Sequence, residues 1–329
     1  MKTTVNQLHE KVAVWTTEIA NVLALAQKLN LPPPDLQSYH HKIAKLYSEE
    51  LDLCYLLDKS DIIFHANGTA ITDHSFGLSA VNSLFKNIDQ QIKRHALSVL
   101  QLSLADTKKA LQMLDIRLTG IAAGSLYAGF LIQPPKPSEL LGTDEQNLIM
   151  QDIKSATLSI AQVPQFVNQQ GKISEGLSEQ VQNPAIRDSA IVAAFHLSPT
   201  GKNGITSIDI ITPSQMALNA RLDVTHRHSL KEAVNKNPII ESKAKNGTFI
   251  GQLSRIDLDK NRFDLREVNA QGVKSLRCIL PTLTPEKGRE ILGKQVIVTG
   301  RYEQNHNGKP SLMMVYDIKV LEQKLIATP

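Results

Sequence analysis

The sequence predicts an α+β protein: an N-terminal helical hairpin and a mixed α+β body, followed by a small all-β barrel at the C-terminal end. Three observations lead there. Apolar residues in the first thirty positions recur at helical spacing, and the middle of the chain mixes long helical patterns with strand patterns but without regular βαβ alternation. Beyond Gly247 the pattern turns to short alternating strands. At 329 residues the chain has room for two or three domains, each with its own core. The predicted boundaries are a hairpin at 1–58, an α+β domain at 59–234, a polar linker at 235–246 and the barrel at 247–329.

The first helix is carried by Val5, Leu8, Val12, Trp15, Ile19, Val22, Ala26 and Leu29, whose spacings alternate between three and four. That is an a/d seam, predicted to be buried along its length. Consecutive prolines in "LPPPD" stop the helix, because proline has no amide hydrogen to donate. A second helix follows, with Ile43, Leu46, Leu53 and Leu57 on one stripe. The Val5–Leu29 seam has two uses: packing on its own hairpin, or pairing with a second copy or another protein partner.

In the body, Asn67-Gly68 between apolar segments predicts a tight hairpin, since both residues tolerate positive φ. A long helix is expected from Leu78 to Leu104, with Asp106 capping a short successor. "LDIRLTGIAAGSLYAGFLI" predicts two strands joined at Ala122–Ser125. Further helices are expected at Thr143–Val163, at Ile173–Val181 and from His226, with Thr225 as its cap. "IVAAFHLSPTGKNGITSIDIIT" predicts another hairpin around Ser198–Gly204.

The C-terminal stretch opens on "DLDKNRFDLRE", which packs four carboxylates and three cations into eleven residues. A calcium loop would need glycine at its sixth place and glutamate at its twelfth; Arg262 and Val268 stand there. The alternation of Phe263 and Leu265 with Arg262, Asp264 and Arg266 instead makes "DLDKN" a loop and "RFDLRE" the strand after it. The segments "GTFIGQLSRI", "RFDLREV", "VKSLRCILP", "QVIVTGRY" and "PSLMMVYDIKVL" read as five strands. A helix "TPEKGREIL" lies between the third and fourth, with Thr284 at its N-cap and Gly293 closing it. This β-β-β-α-β-β order, over about 80 residues, resembles the OB-fold.

The resemblance implies a surface for single-stranded DNA or RNA on strands two and three and the flanking loops. The side chains it would offer are Lys260, Arg262, Arg266 and Arg277, with Arg301, Tyr302 and Lys309 from the far loop. Lys274 and His306 lie on the same elements. Strand parity puts Leu276, Cys278 and Leu280 inside and Arg277 outside. Charge agrees in sign: from Asn246 to Pro329 there are 13 Lys and Arg against 9 Asp and Glu, which is the whole net +4 of the chain.

No catalytic constellation, metal set or cofactor fingerprint is legible. His226 and His228 read as the first turn of a helix, where they diverge. "AAGSLYAG" lacks the strand-turn-helix context of a nucleophile elbow. "SPTGKNG" lacks the ending of a phosphate loop. The longest apolar stretch, "IAAGSLYAGFLI", has twelve residues, too few to span a bilayer, so no membrane association is expected. Two distant cysteines fit a cytoplasmic, reducing setting better than a disulfide framework. The function expected is nucleic-acid binding through the barrel, with the N-terminal part as scaffold or partner surface. The alternatives are a nuclease or nucleotide-processing enzyme with its site in the α+β body, and a non-catalytic subunit of a protein assembly.

Overall fold

The computed structural model describes residues 4–72, 75–103, 114–122, 126–133, 143–213, 219–236 and 238–321. The chain is α+β and divides into two compact units. The first comprises Met1–Leu84, Ile116–Gln133 and Thr200–Arg221; the second comprises Phe85–Asp115, Pro134–Pro199 and Leu222–Pro329.

In the first unit, helices α1 (Val5–Lys28) and α2 (Gln37–Lys59) form the hairpin. Thr4 caps α1 in a reciprocal capping box with Gln7. The a/d seam is buried at one end only. Leu8 packs with Leu46 and Cys54, flanked by Val5, Val12 and Trp15, whereas Val22 and Leu29 are exposed. The apolar run continues past the place where α2 offers a matching stripe, so the seam outlasts its partner.

Strands β1 (Ile62–Asn67), β2 (Ile71–Thr72) and β3 (Ser75–Phe76) follow, then helix α3 (Leu78–Ser103). Strands β4 (Asp115–Ala122) and β5 (Leu126–Gln133) come next, on either side of Ala123–Ser125, which lie outside the described residues. The helix predicted after Asp106 also lies outside them. With β6 (Ser207–Ile211) and β7 (Asn219–Asp223) these strands make a sheet of order β4-β5-β1-β6-β7. Leu56 and Leu57 of α2 pack against Ile63, Ala122 and Ile211 of that sheet.

The Asn67-Gly68 hairpin is not what forms. β1 pairs with β5 and β6, both remote in sequence, while β2 pairs with β3. Gly68 serves close approach instead. A Cβ there would stand 2.1 Å from the Gly204 carbonyl oxygen, where no side chain fits.

The second unit holds helices α4 (Thr143–Phe166), α5 (Gly176–Gln180), α6 (Pro184–Leu197) and α7 (Val224–Asn235). The hairpin predicted over "IVAAFHLSPTGKNGITSIDIIT" is half wrong: Ile191–Leu197 is the end of α6. Asn183 caps α6, accepting from the Ala185 amide, and Pro184 takes the first turn. The helix is buried on nearly every side, so it has no polar face to betray a 3.6-residue period. α7 is capped by Asp223 rather than Thr225; its carboxylate accepts from the amides of Thr225 and His226.

The C-terminal strands are β8 (Lys245–Asp257), β9 (Arg262–Arg266), β10 (Ser275–Ile279), β11 (Gln295–Gln304) and β12 (Pro310–Val320), with helix α8 (Pro285–Ile291) between β10 and β11. They close into a five-stranded mixed barrel of order β10-β12-β11-β8-β9, with β10 parallel to β12, compatible with an OB-like barrel. Phe263, Leu265, Leu276, Cys278, Val296, Val298 and Met313 fill it, as alternation requires. The charged stretch from Asp257 is a turn followed by a strand. Leu258–Lys260 makes a 3-10 turn, and Asn261 takes the left-handed conformation (φ 55°) that leads the chain into β9.

Candidate functional site

Alternation along β9 and β10 sends Arg262, Asp264, Arg266 and Arg277 out of the barrel, but outward here does not mean solvent. The outer face at the Arg262 end lies under α6, in the same unit. Arg262, expected to be solvent-facing, is 2% exposed. Its Nε and Nη2 donate to both oxygens of Asp188 on α6, at 2.6–3.1 Å, and its remaining nitrogen donates to the Lys260 carbonyl. The fork geometry suits a carboxylate as well as it would a phosphate.

Arg277 meets the same carboxylate. Its Nε lies 3.0 Å from Asp188 Oδ2, an ion-pair distance, with the N–H turned off the hydrogen-bond line, and its Nη1 donates to Ser98 Oγ at 3.0 Å. Burial alone would raise the Asp188 carboxyl. The two guanidiniums outweigh it and hold the group below the usual carboxylate range. Lys260 is likewise engaged, its ammonium 2.9 Å from Asp257 and largely buried. A second clamp joins Arg187 to Glu303 of β11 at 2.6 Å, both 1% exposed. Farther along the same face, Ile279, Leu312 and Met314 pack beneath Ile239.

The fold therefore brings Lys260, Arg262 and Arg277 together, but each faces a carboxylate. Arg301 is ion-paired to Glu241. Tyr302 packs edge-on against Phe249 (5.1 Å, 85°) and covers Gly247, so it serves the barrel rather than offering a free face. Arg266 is half-buried, and among the described residues of the barrel the exposed aromatic is Tyr316 on β12. Lys309 is exposed.

Lys309 belongs to a cleft of about 200 Å³ between the β9–β10 and β11–β12 loops, shared with Lys274, Asn183, Ser275, Asn305, Asn307 and Ser311. Among the described residues no carboxylate lines it. Asn305 Oδ1 accepts from the amides of Asn307 and Lys309, which fixes the loop tip. Ser311 donates to Asn183, the cap residue of α6. Gly272, at φ 70°, lets the Lys309 ammonium lie over the backbone, where a Cβ would come within 2.6 Å of Nζ.

A smaller cleft lies between α3, α6 and the barrel. Arg94, Arg255, Lys260, Arg277, Asp257 and Asp264 line it, together with Gln91, His95, Ser98 and Ser189. His95 Nδ1 is 3.0 Å from Ser189 Oγ, and its Nε2 donates to the Ala156 carbonyl at 2.7 Å. A serine-histidine contact invites a nucleophile reading. Both groups are buried, however, and the ring is oriented by a carbonyl rather than a carboxylate. Burial holds the imidazole at about 4, too low for an effective base near neutrality. The pair links α3, α4 and α6. In the α+β body, His65–Asp209 (3.1 Å) and His226–Asp223 (2.9 Å) are imidazole–carboxylate hydrogen bonds at half-buried positions, and the second is part of the cap of α7.

Sequence reasoning misses Asp188, Arg187, Arg94 and Arg255. Arg255 shares the parity of the inward Phe249 and Leu253 and reaches the outside because β8 bulges between Leu253 and Arg255, so alternation misplaces it. The others sit on helices whose contact with the barrel no local pattern announces. Compared with protein-family models, curated proteins and solved structures, the chain finds no match in any of the three.

Proposed function

We propose that this chain binds single-stranded nucleic acid through an OB-like barrel, at the loop cleft of Lys274 and Lys309. The observation that carries the reading is the make-up of that cleft: two ammonium groups with amides and hydroxyls around them and no carboxylate among the described residues of the wall. Such a wall supplies what a phosphate backbone asks for, a cation and neutral donors, without repulsion. Strand order with a parallel β10–β12 pair and a helix before β11 supports the OB-like assignment. The site thus moves from the β9–β10 face to the loops at its far end. A cytoplasmic setting belongs to the same proposal, supported by two buried free thiols, Cys54 and Cys278. No helix among the described residues is long and apolar enough to cross a membrane.

The test is fluorescence anisotropy of labelled single-stranded DNA and RNA on the full chain across a salt series. Lys274→Ala/Lys309→Ala is expected to weaken binding and flatten the log-log salt slope by about 1.4, about 0.7 for each phosphate no longer neutralised. Unchanged affinity and slope in the double variant would remove this cleft as the site.

A second reading, a homodimer through α1, draws on a different observation. Val14, Val22, Leu25 and Leu29 form an exposed apolar stripe on α1, outside the core of the hairpin. Antiparallel self-pairing about Leu23 would set Glu18 against Lys28 of the other copy, so the stripe is self-complementary in charge. Sedimentation equilibrium decides it: a dimer that Leu25→Asp dissociates supports the reading, and a monomer at high concentration ends it.

A further inference from the structure

We propose that the cleft between α3, α6 and the barrel is a second binding site, one for a phosphate-type dianion. Five cations meet there: Arg94, Arg255, Lys260, Arg262 and Arg277. Three of them are answered from within. Asp188 takes Arg262 and Arg277, and Asp257 takes Lys260. Arg94 and Arg255 are exposed at the mouth, and among the described residues neither has an ion pair. Asp257 acts on both at longer range, and two guanidiniums from different elements, α3 and β8, on one cleft are the donor set that oxyanions recognise. Asp264, the other carboxylate in the wall, is pushed up by burial.

The floor carries the second, independent observation. Asn87 donates from Nδ2 to the His196 carbonyl at 2.6 Å, which fixes its oxygen as the acceptor for Gln91 Nε2 at 3.3 Å. Gln91, which lines the cleft, then keeps a buried Oε1 without a donor. Arg277 Nε is a buried donor off its hydrogen-bond line in the same wall. In the wall of one cleft Gln91 Oε1 thus lacks a donor and Arg277 Nε lacks an aligned acceptor, and a water or a hydrogen phosphate can supply both. The enclosed part, about 30 Å³, holds about one water. A base or sugar has no room, so the dianion stands at the mouth between Arg94 and Arg255, above that water.

Isothermal titration of the full chain with inorganic phosphate at pH 8, at constant ionic strength in chloride, tests this. Saturable binding is expected. Arg94→Gln and Arg255→Gln should each weaken it about tenfold, the scale of one charge-assisted hydrogen bond. Both side chains are exposed, so an unchanged unfolding midpoint is the fold control. Lys274→Ala/Lys309→Ala should leave phosphate binding intact, which separates this site from the nucleic-acid reading. Oligonucleotides with and without a 5′-phosphate then distinguish the source of the dianion. A gain from the 5′-phosphate that Arg94→Gln abolishes assigns a strand end, and equal affinities with free phosphate still bound assign the free ion. Absence of saturable phosphate binding to the unaltered chain, or undiminished binding by both arginine variants, overturns the proposal.

Discussion

Asp188 is the side chain on which the second unit turns, and its worth lies in what it neutralises. Asp188→Asn leaves Arg262 buried beside a neutral amide, and a loss of about 3–5 kcal/mol is expected in urea unfolding. Asp188→Leu with Arg262→Met removes both charges and should lose less than Asp188→Asn alone; a larger loss would mean that the pair stabilises beyond mutual neutralisation. Because the folded carboxyl is depressed, its contribution is full above the unfolded value of about 3.9 and lost as pH falls through the folded value. His95 acts in a different window. Its folded value of about 4 lies below the ordinary 6.5, so the unfolded chain takes the proton first and stability falls between those limits. At pH 5 the loss is about 2 kcal/mol relative to pH 7. His196, also lowered to about 4 chiefly by burial, adds to the slope with the same sign. The measurement is therefore a difference: urea stability should depend less on pH between 7 and 5 in His95→Gln than in the unaltered chain, and equal dependence would contradict it. Arg262 shows what a sequence does not tell. Strand parity sets its direction out of the barrel, but Asp188 stands 74 residues away, and no spacing rule reports that a face is covered.

Elements are legible where both their ends and their period are written locally. α8 is the clearest case, with Thr284 accepting from the Lys287 amide and Gly293 at φ 79° closing it. Thr284→Ala should destabilise by about 1 kcal/mol, measured by thermal unfolding. The barrel strands are readable because their inward residues recur with period two, even where helices and loops cover the outer face. α6 misleads because its residues are buried all round, so an apolar run looks like a strand. α1 is a helix as its period requires, but the period alone promises more burial than α2 can provide. Leu8→Ala, at the packed end, should lose about 2–5 kcal/mol, while Leu29→Ala, at the exposed end, should lose well under about 1. Equal losses at the two ends would mean that the far end is also covered. Gly68 belongs at this scale too, since its missing side chain lets the loop carrying Gly204 close on β1. Gly68→Ala should destabilise by at least about 1–3 kcal/mol, the usual range for overpacking, read in the same unfolding assay.

At the scale of the molecule, the sequence announces a barrel at the end of the chain but not that this barrel shares a compact unit with helices drawn from residues 85–115, 134–199 and 222–235. Contacts between distant segments have no local signature, and they are what relocates the candidate ligand surface from strands to loops. The clamp of Asp188 on Arg262 and Arg277 also bears on how the protein can be handled. A barrel cut free at Lys245 would keep both arginines and lose their carboxylate. It would also bare Ile279, Leu312 and Met314, which lie beneath Ile239 in the whole chain. Such a fragment should retain nucleic acid more tightly than the intact protein and lose that excess on Arg262→Gln, measured by filter binding at fixed salt. Its affinity would be an artefact of excision: a wound in the protein surface, charged with the sign that polyanions seek.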